Sequence, residues 1–233
     1  MIKKIFFICL FLFVKLLSFS QVVLKQVDII DYKQNKFDII YGIDVSRFQG
    51  KINWSIIDTS LTFAIIKVSE GISLVDNRFL QNWNGCNLIK GGYHFFRPQR
   101  SGAQQAKLFL ANLHIDYGNI KPVIDVEYTH LWSVKKKRSL YVNNLKDMID
   151  YITKEIGCAP IIYTNENFWL NYIQPYYNGS HEFWLADYRR KSVMSSELNW
   201  FIWQYTCKGR VKGIIGFVDK NLMTKKIEDI LIK

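Results

Sequence analysis

The chain is poor in the residues that build metal, disulfide or thiol chemistry: it has four cysteines and four histidines in 233 residues. Cys9 falls in the N-terminal apolar stretch, leaving Cys86, Cys158 and Cys207, an odd set with no paired short spacing. No zinc site or disulfide framework can be read from that, and buried thiols with at most one bridge are expected. The histidines form no His-Glu-x-x-His or similar ligand spacing, and no motif sets a nucleophilic serine or cysteine beside them. His94, inside GGYHFF, reads as a hydrogen-bonded barrel residue rather than a base. No metal and no cofactor is expected.

After residue 20 no run is long and apolar enough to cross a bilayer. No repeat, low-complexity tract or linker divides the chain. Acidic residues are the minority, 20 against 31 Lys and Arg, for a net charge of +11. A basic surface suits polyanions such as nucleic acid, acidic lipid or the anionic polymers of a bacterial wall. The clearest basic cluster is Lys135-Lys136-Lys137-Arg138, just before a helical pattern; a solvated helix approach with no partner is the equal alternative.

What is present begins with MIKKIFFICLFLFVKLLSFSQ: two lysines, an apolar run, then small residues at Ser18 and Ser20. This reads as a signal peptide over residues 1–20, followed by a polar lead-in over 21–38 and one catalytic barrel over 39–233. The alternative is an uncleaved anchor, but Lys15 interrupts a run already short for a span. The expected mature protein is secreted or lies in the periplasm or cell envelope, as a monomer with no stable membrane span. Export makes the bacterial wall, not nucleic acid, the expected polyanion.

Eight short apolar runs, at 39–45, 62–68, 91–96, 121–126, 160–164, 182–186, 200–205 and 214–218, are strand candidates. FAIIKV and KPVIDV are continuously apolar, as strands buried on both faces of a parallel sheet are. Between them lie two helical patterns. Ser101 caps one with Ala103, Ala106, Leu110 and Leu113 on one face; Leu145, Met148, Ile149, Ile152 and Ile156 mark the other, ended by Gly157. Beyond Pro160 little room remains for full helices. The economical architecture is an α/β barrel, irregular in its second half. A doubly wound open sheet is the alternative, but no glycine-rich phosphate loop follows the first strand.

In such a barrel, chemistry sits at the C-terminal ends of strands. Five candidate ends carry acids: Asp44 in YGIDVSRFQG, Glu70 in IIKVSEG, Asp125 with Glu127 in KPVIDVEY, Asp187 in FWLADYR and Asp219 in GIIGFVDKN. Asp125 and Glu127, two apart on a strand, point to the same face. Two neighbouring carboxyls cannot both ionise freely, so one holds a proton while the other stays charged. Glycosidic cleavage needs that division, an acid for the leaving oxygen and an anion for the sugar carbon. An isolated Asp-x-Glu is equally a metal ligand, a salt-bridge partner or a solvated edge. Thirteen aromatics, Trp83, Tyr93, Phe95, Phe96, Tyr128, Trp132, Tyr163, Phe168, Trp169, Trp184, Tyr188, Trp203 and Tyr205, gather near the same strand ends, as a sugar platform or as core.

Seven segments then occur in a fixed order from Tyr41 to Met223: GIDVSRFQGKINW, FAIIKVSEG with a following Asp76 and Phe79, GGYHFF, KPVIDVE, IIYTN, FWLADY and FIWQYTCKGRVKGIIGFVDKN. In these the chain resembles the family 25 glycoside hydrolases, the Ch-type lysozymes or N-acetylmuramidases. The resemblance implies a TIM-like barrel of about five β/α units plus three further strands. It implies cleavage of the β-1,4 bond between N-acetylmuramic acid and N-acetylglucosamine in peptidoglycan. By position Glu127 matches the general acid and Asp125 the carboxylate beside it, with Asp44 and Asp219 as further acids of the pocket floor. Expected substrate contacts are Glu70, Tyr93, Tyr163, Trp184, Asp187, Trp203 and Gln204.

Two mechanisms stay open. Asp125 either orients the substrate's own N-acetyl group for attack, or an acid such as Asp219 or Asp44 positions a water. Two rivals also remain, a non-catalytic wall-binding barrel and another amidosugar hydrolase such as a chitinase. Departures from the family pattern are few: Cys86 where a small alanine is common, Arg97-Pro98 after GGYHFF, and charged residues inserted over 129–138, which could reshape a cleft wall.

Overall fold

The computed structural model describes residues 39–177, 179–189, 196 and 198–233. The expected leader and lead-in, residues 1–38, lie outside the described residues. Among the described residues nine strands are present: β1 (Ile40–Val45), β2 (Leu61–Glu70), β3 (Leu74–Val75), β4 (Ile89–Phe95), β5 (Val123–Asp125), β6 (Ile161–Thr164), β7 (Phe183–Ala186), β8 (Trp200–Gly209) and β9 (Val218–Met223). Their order, β1-β9-β8-β7-β6-β5-β4-β2-β3, closes through pairing of β1 with β2. Eight strands therefore form a closed barrel, and β3 is a two-residue extension hairpinned onto β2. Six neighbouring pairs from β1 to β8 are parallel, while β9 runs antiparallel to both β8 and β1.

Alternation along each strand divides the apolar residues into two layers. Phe63, Ile65, Val123, Ile161, Tyr163, Trp184, Ile202 and Met223 fill the barrel, with Ile120, Ile227 and Ile230 in the same cluster at its N-terminal end. Their neighbours Ala64, Ile66, Ile124, Ile162, Leu185 and Trp203 face outward into the layer under the helices. Gly42 is small for a reason: a Cβ there would lie 2.4 Å from the Phe63 ring.

The helices α1 (Phe79–Gly85), α2 (Gly102–Asn112), α3 (Arg138–Ile156) and α4 (Glu166–Phe168) follow β2/β3, β4, β5 and β6. The first crossover is made by 3-10 turns at Arg47–Gln49 and Trp54–Ile56 instead of a full helix. In α3 the expected positions Leu145, Met148, Ile149 and Ile152 are buried, and Gly157 closes the helix in the left-handed region at φ 82°. The α2 face is turned in part from expectation: Ala106 and Leu113 are buried and Leu110 packs half-buried against the core, but Gly102, Gln105 and Phe109 are buried as well, and Ala103 is only half-buried. Gln105 sets that rotation, because its amide accepts from the Arg97 N–H at 2.8 Å, donates to the Arg97 carbonyl at 3.0 Å and lies 3.2 Å from His94 Nε2. A Cβ at Gly102 would collide with the Asn144 carbonyl, so glycine is what lets α2 and α3 approach.

The final strand differs from the sequence reading. Residues 214–217 form a loop, and the strand is Val218–Met223. The apolar GIIGF run cannot continue as a strand because Gly213 and Gly216 both take φ above +90°. With β8 extending to Gly209, the segment between becomes a hairpin connection.

Candidate active site

At the C-terminal end of the parallel strands a cavity of about 230 Å³ opens, lined by Asp44, Phe48, Lys67, Tyr93, Phe95, Asp125, Glu127, Tyr163, Trp184, Tyr188, Gln204 and Asp219. The pocket holds all four acids expected to do chemistry, on three strands and the loop beyond one. Asp125 ends β5 and stands in register with Phe95 and Tyr163 on either side. Glu127 lies two residues on, past the end of β5, yet lines the same pocket. Asp219 was expected at the C-terminal end of a strand; it is second in β9 instead. Because β9 is antiparallel, its start lies at the catalytic rim, and Asp219 pairs directly with Asp44 on β1.

Asp44 anchors a buried hydrogen-bond network. Its Oδ2 accepts from Gln204 Nε2 at 2.9 Å and Asn221 Nδ2 at 2.8 Å. Asn221 Oδ1 in turn accepts from Trp184 Nε1 at 2.8 Å. The hydroxyls of Tyr163 and Tyr188 both donate to Gln204 Oε1, at 3.0 and 2.8 Å. Every polar atom of Gln204 is thus committed, which fixes Asp44 and leaves the two phenols leaning over the pocket.

Burial is the largest influence on each acid, and it favours the neutral form. It lifts Asp44 to about 7, with the Asp219 charge adding and the two amide donors opposing. Asp125 is held well above the usual carboxylate range by burial and then by the Glu127 charge. Glu127 is also raised by burial; the Tyr163 hydroxyl opposes the shift and Asp219 adds to it. Asp219 is raised by burial. Of these acids Asp125 is the one with an unsatisfied atom, a buried Oδ1 with no hydrogen-bond partner.

One cation, Lys67, enters this pocket. Its Nζ bonds Glu70 Oε2 at 2.7 Å, and Glu70 also binds Arg97. Both cations flank the Phe95 ring, Lys67 Nζ at 5.0 Å and Arg97 Cζ at 4.7 Å from its centroid. Glu70, expected to touch substrate, lies outside the lining and positions Lys67 instead. Sequence reasoning passed over Lys67, although a lysine inside the apolar FAIIKV strand was the available signal. Phe48 was also missed, as was the second-strand role of Asn221, which nothing in the sequence marked.

Two other expected contacts lie elsewhere. Alternation that points Ile202 and Gln204 inward turns Trp203 outward into the helix-facing layer. Its Nε1 donates to the Asp187 carbonyl at 2.6 Å. The Asp187 carboxylate pairs with Arg189, its Oδ2 3.1 Å from the Arg189 Nη2. Neither residue lines the pocket. Of the expected aromatics, Tyr93, Phe95, Tyr163, Trp184 and Tyr188 line it, whereas Trp83, Phe96, Trp132, Phe168 and Trp169 are core. His94 is buried outside the pocket, 2.8 Å from Ser69 Oγ, and burial holds its pKa down to about 4. Cys86, Cys158 and Cys207 are all free. Among the described residues no group of histidine, cysteine, aspartate or glutamate is arranged to hold a metal ion, and no helix is long and apolar enough to cross a membrane.

An eight-stranded barrel with carboxyls clustered at its C-terminal rim, beside aromatic rings, is an arrangement that suits glycoside hydrolysis. The family model of Glycosyl hydrolases family 25 matches residues 43–214, and the chain belongs to that family. YegX of Escherichia coli K12 is 34% identical over 202 residues, spanning 82% of this chain and 72% of its own length. Lysozyme M1 of Streptomyces globisporus is 33% identical over 199 residues, or 78% of this chain and 67% of its own. The crystal structure of the bacterial lysozyme from Streptomyces coelicolor superimposes with a TM-score of 0.73 at 30% identity, covering 82% of this chain and 94% of that one.

Proposed function

We propose that this hydrolase is an exported, monomeric muramidase that cleaves the β-1,4 bond between N-acetylmuramic acid and N-acetylglucosamine in peptidoglycan. Glu127 is the general acid, Asp125 the steering carboxylate, and Asp44 and Asp219 form the acidic floor. Tyr93, Tyr163 and Trp184 contact the sugar, and Gln204 holds Asp44 in place. The family membership and the similarity to lysozyme M1 support the bond type.

The observation that carries the mechanism is that Asp125 and Glu127 line one pocket together at the barrel rim. Burial and the Glu127 charge favour the neutral form of Asp125. An acetamido N–H that bonds the Asp125 carboxylate favours its charged form. Asp125 then steers that acetamido oxygen onto the anomeric carbon while Glu127 protonates the leaving oxygen. The carbon–oxygen glycosidic bond breaks, the acetamido oxygen bonds the carbon, and water reopens the ring with Glu127 as base. Electrons and protons balance, and no redox partner is involved.

Mass spectrometry of products from purified peptidoglycan tests the reading: fragments with muramic acid at the reducing end are expected. Fragments ending in N-acetylglucosamine, or chitin cleaved in preference, would overturn it. Clearing of wall suspensions by wild type but not by Glu127→Gln separates an enzyme from a binder. N-terminal sequencing of exported protein, beginning near residue 21, tests the leader.

A further inference from the structure

Beside the acid pocket the surface changes character. The turn after β1 presents Phe48, 77% exposed and lining the pocket mouth, and the β8–β9 connection presents Ile215 at 88% and Phe217 at 54%. Isolated exposed apolar residues need no explanation, but these lie on two loops tied together. Gln49 Nε2 donates to the Phe217 carbonyl at 3.5 Å, and the Asn53 N–H donates to the Gly213 carbonyl at 2.8 Å. The first loop is itself rigid: Ser46 and Gln49 form a capping box, and the Arg47 N–H donates to Asp76 Oδ2 at 3.0 Å. Each ring also carries an arginine. The Arg47 guanidinium lies 5.2 Å from the Phe48 centroid and that of Arg210 4.2 Å from the Phe217 centroid.

The charge pattern is complementary to that of the pocket. The four acids line the pocket, whereas Arg47, Lys51, Arg210 and Lys212 are exposed on these two loops, and segment 206–217 contains no acid. A pocket that repels anions adjoins a flank that attracts them. A neutral oligosaccharide would gain from the rings alone. A strand whose sugars bear carboxylates gains from both, with pyranose C–H faces on the rings and carboxylates on guanidiniums, whose forked donors match them.

We propose that Phe48 and Phe217, with Arg47 and Arg210, form a platform continuous with the catalytic pocket that seats a muramyl residue of the same glycan strand, its stem-peptide carboxylates on the arginines, beyond the bond being cut. This rests on the muramidase reading for the identity of the strand. The rings supply the stacking surface, and the arginines select anionic glycan over neutral polymer.

Binding and turnover test it separately. In a Glu127→Gln background, cosedimentation with insoluble peptidoglycan should weaken about tenfold for Phe48→Ala/Phe217→Ala and for Arg47→Gln/Arg210→Gln, equivalent to about 1.4 kcal/mol. The arginine effect should shrink with added salt. It should vanish on strands whose carboxyls have been converted to methyl amides, whereas the phenylalanine effect persists. With Glu127 intact, the ratio of kcat/KM on long strands to that on a tetrasaccharide should fall by a similar factor. All variants sit on exposed positions, and circular dichroism checks their folding. Unchanged binding, or an arginine effect that survives carboxyl neutralisation, overturns the platform. A wild-type protein that cuts neither substrate overturns the muramidase reading instead, and the binding measurement still decides the platform.

Discussion

Asp44 and Asp219 face each other across the antiparallel pairing of β1 and β9, two carboxyls opposed in one buried register. Directly opposed residues in such a pair lie with Cβ atoms about 4.5–5.5 Å apart, close enough that like charges repel. Burial and this repulsion lift Asp44 from 3.8 to about 7.

The consequence is a stability that falls as pH rises. Between about pH 4 and 7 the folded chain keeps a proton that the unfolded chain has released, so each pH unit in that window lowers stability by up to about 1.4 kcal/mol. Above the folded value the loss is complete and constant. Asp44→Asn keeps an acceptor for Gln204 and Asn221 without the charge. Its Tm should exceed the wild type's by roughly 10 °C at pH 8, with the gain disappearing near pH 4. Scanning calorimetry across that range checks both ends, and a gain independent of pH would contradict the account.

Glu127→Gln should lower turnover by at least about 100-fold, within the usual range for loss of a general acid, with the fold intact. The substitution removes a group that burial penalises when charged, so thermal stability at neutral pH should not decrease. A turbidity assay and a melting curve on the same preparation give the two readouts.

If Asp125 works through the substrate's acetamido group, a glycan with de-N-acetylated muramic acid should resist cleavage by about 100-fold or more. Proton NMR of the freshly released reducing end should show retained configuration. An inverted product would end the substrate-assisted route and point to a water placed by Asp44 or Asp219.

Lys67 lowers the pKa of both Asp125 and Glu127 by its charge. Lys67→Met should therefore move both limbs of the pH–rate profile to higher pH: Asp125 ionises later and Glu127 keeps its proton longer. A drop in rate with unmoved limbs would assign Lys67 to packing alone.

Trp203→Phe removes the donor to the Asp187 carbonyl and should cost about 1 kcal/mol of stability. Because Trp203 faces the helix layer, KM should stay unchanged. Denaturant melts and steady-state kinetics distinguish this from a substrate-contact role.

Much of the barrel was legible because continuously apolar strands and helix caps are local signals. FAIIKV, KPVIDV, the Ser101 cap and the Gly157 stop lie where patterning puts them. The acids were legible for a related reason: charge at the end of an apolar strand stands out. What was not legible depends on partners distant in the chain. In α2 the apolar spacing marks Ala106 and Leu113 but not Gln105, which is drawn inward by His94 and Arg97. The inward or outward aim of Trp203 follows from strand parity that a bulge can reset, and β8 carries one just before it, where Trp200 and Ile202 pair with the consecutive Phe183 and Trp184. The last strand was misplaced because apolarity outweighed glycine conformation in the reading, whereas in the fold the two positive-φ glycines decide.

The antiparallel strand β9 closes the cylinder between β1 and β8 and also delivers Asp219 and Asn221 to the acidic floor. A partially synthesised or partially refolded chain that lacks this strand has neither a closed wall nor a complete set of acids. Closure of the wall and assembly of the four-acid pocket therefore depend on one and the same strand.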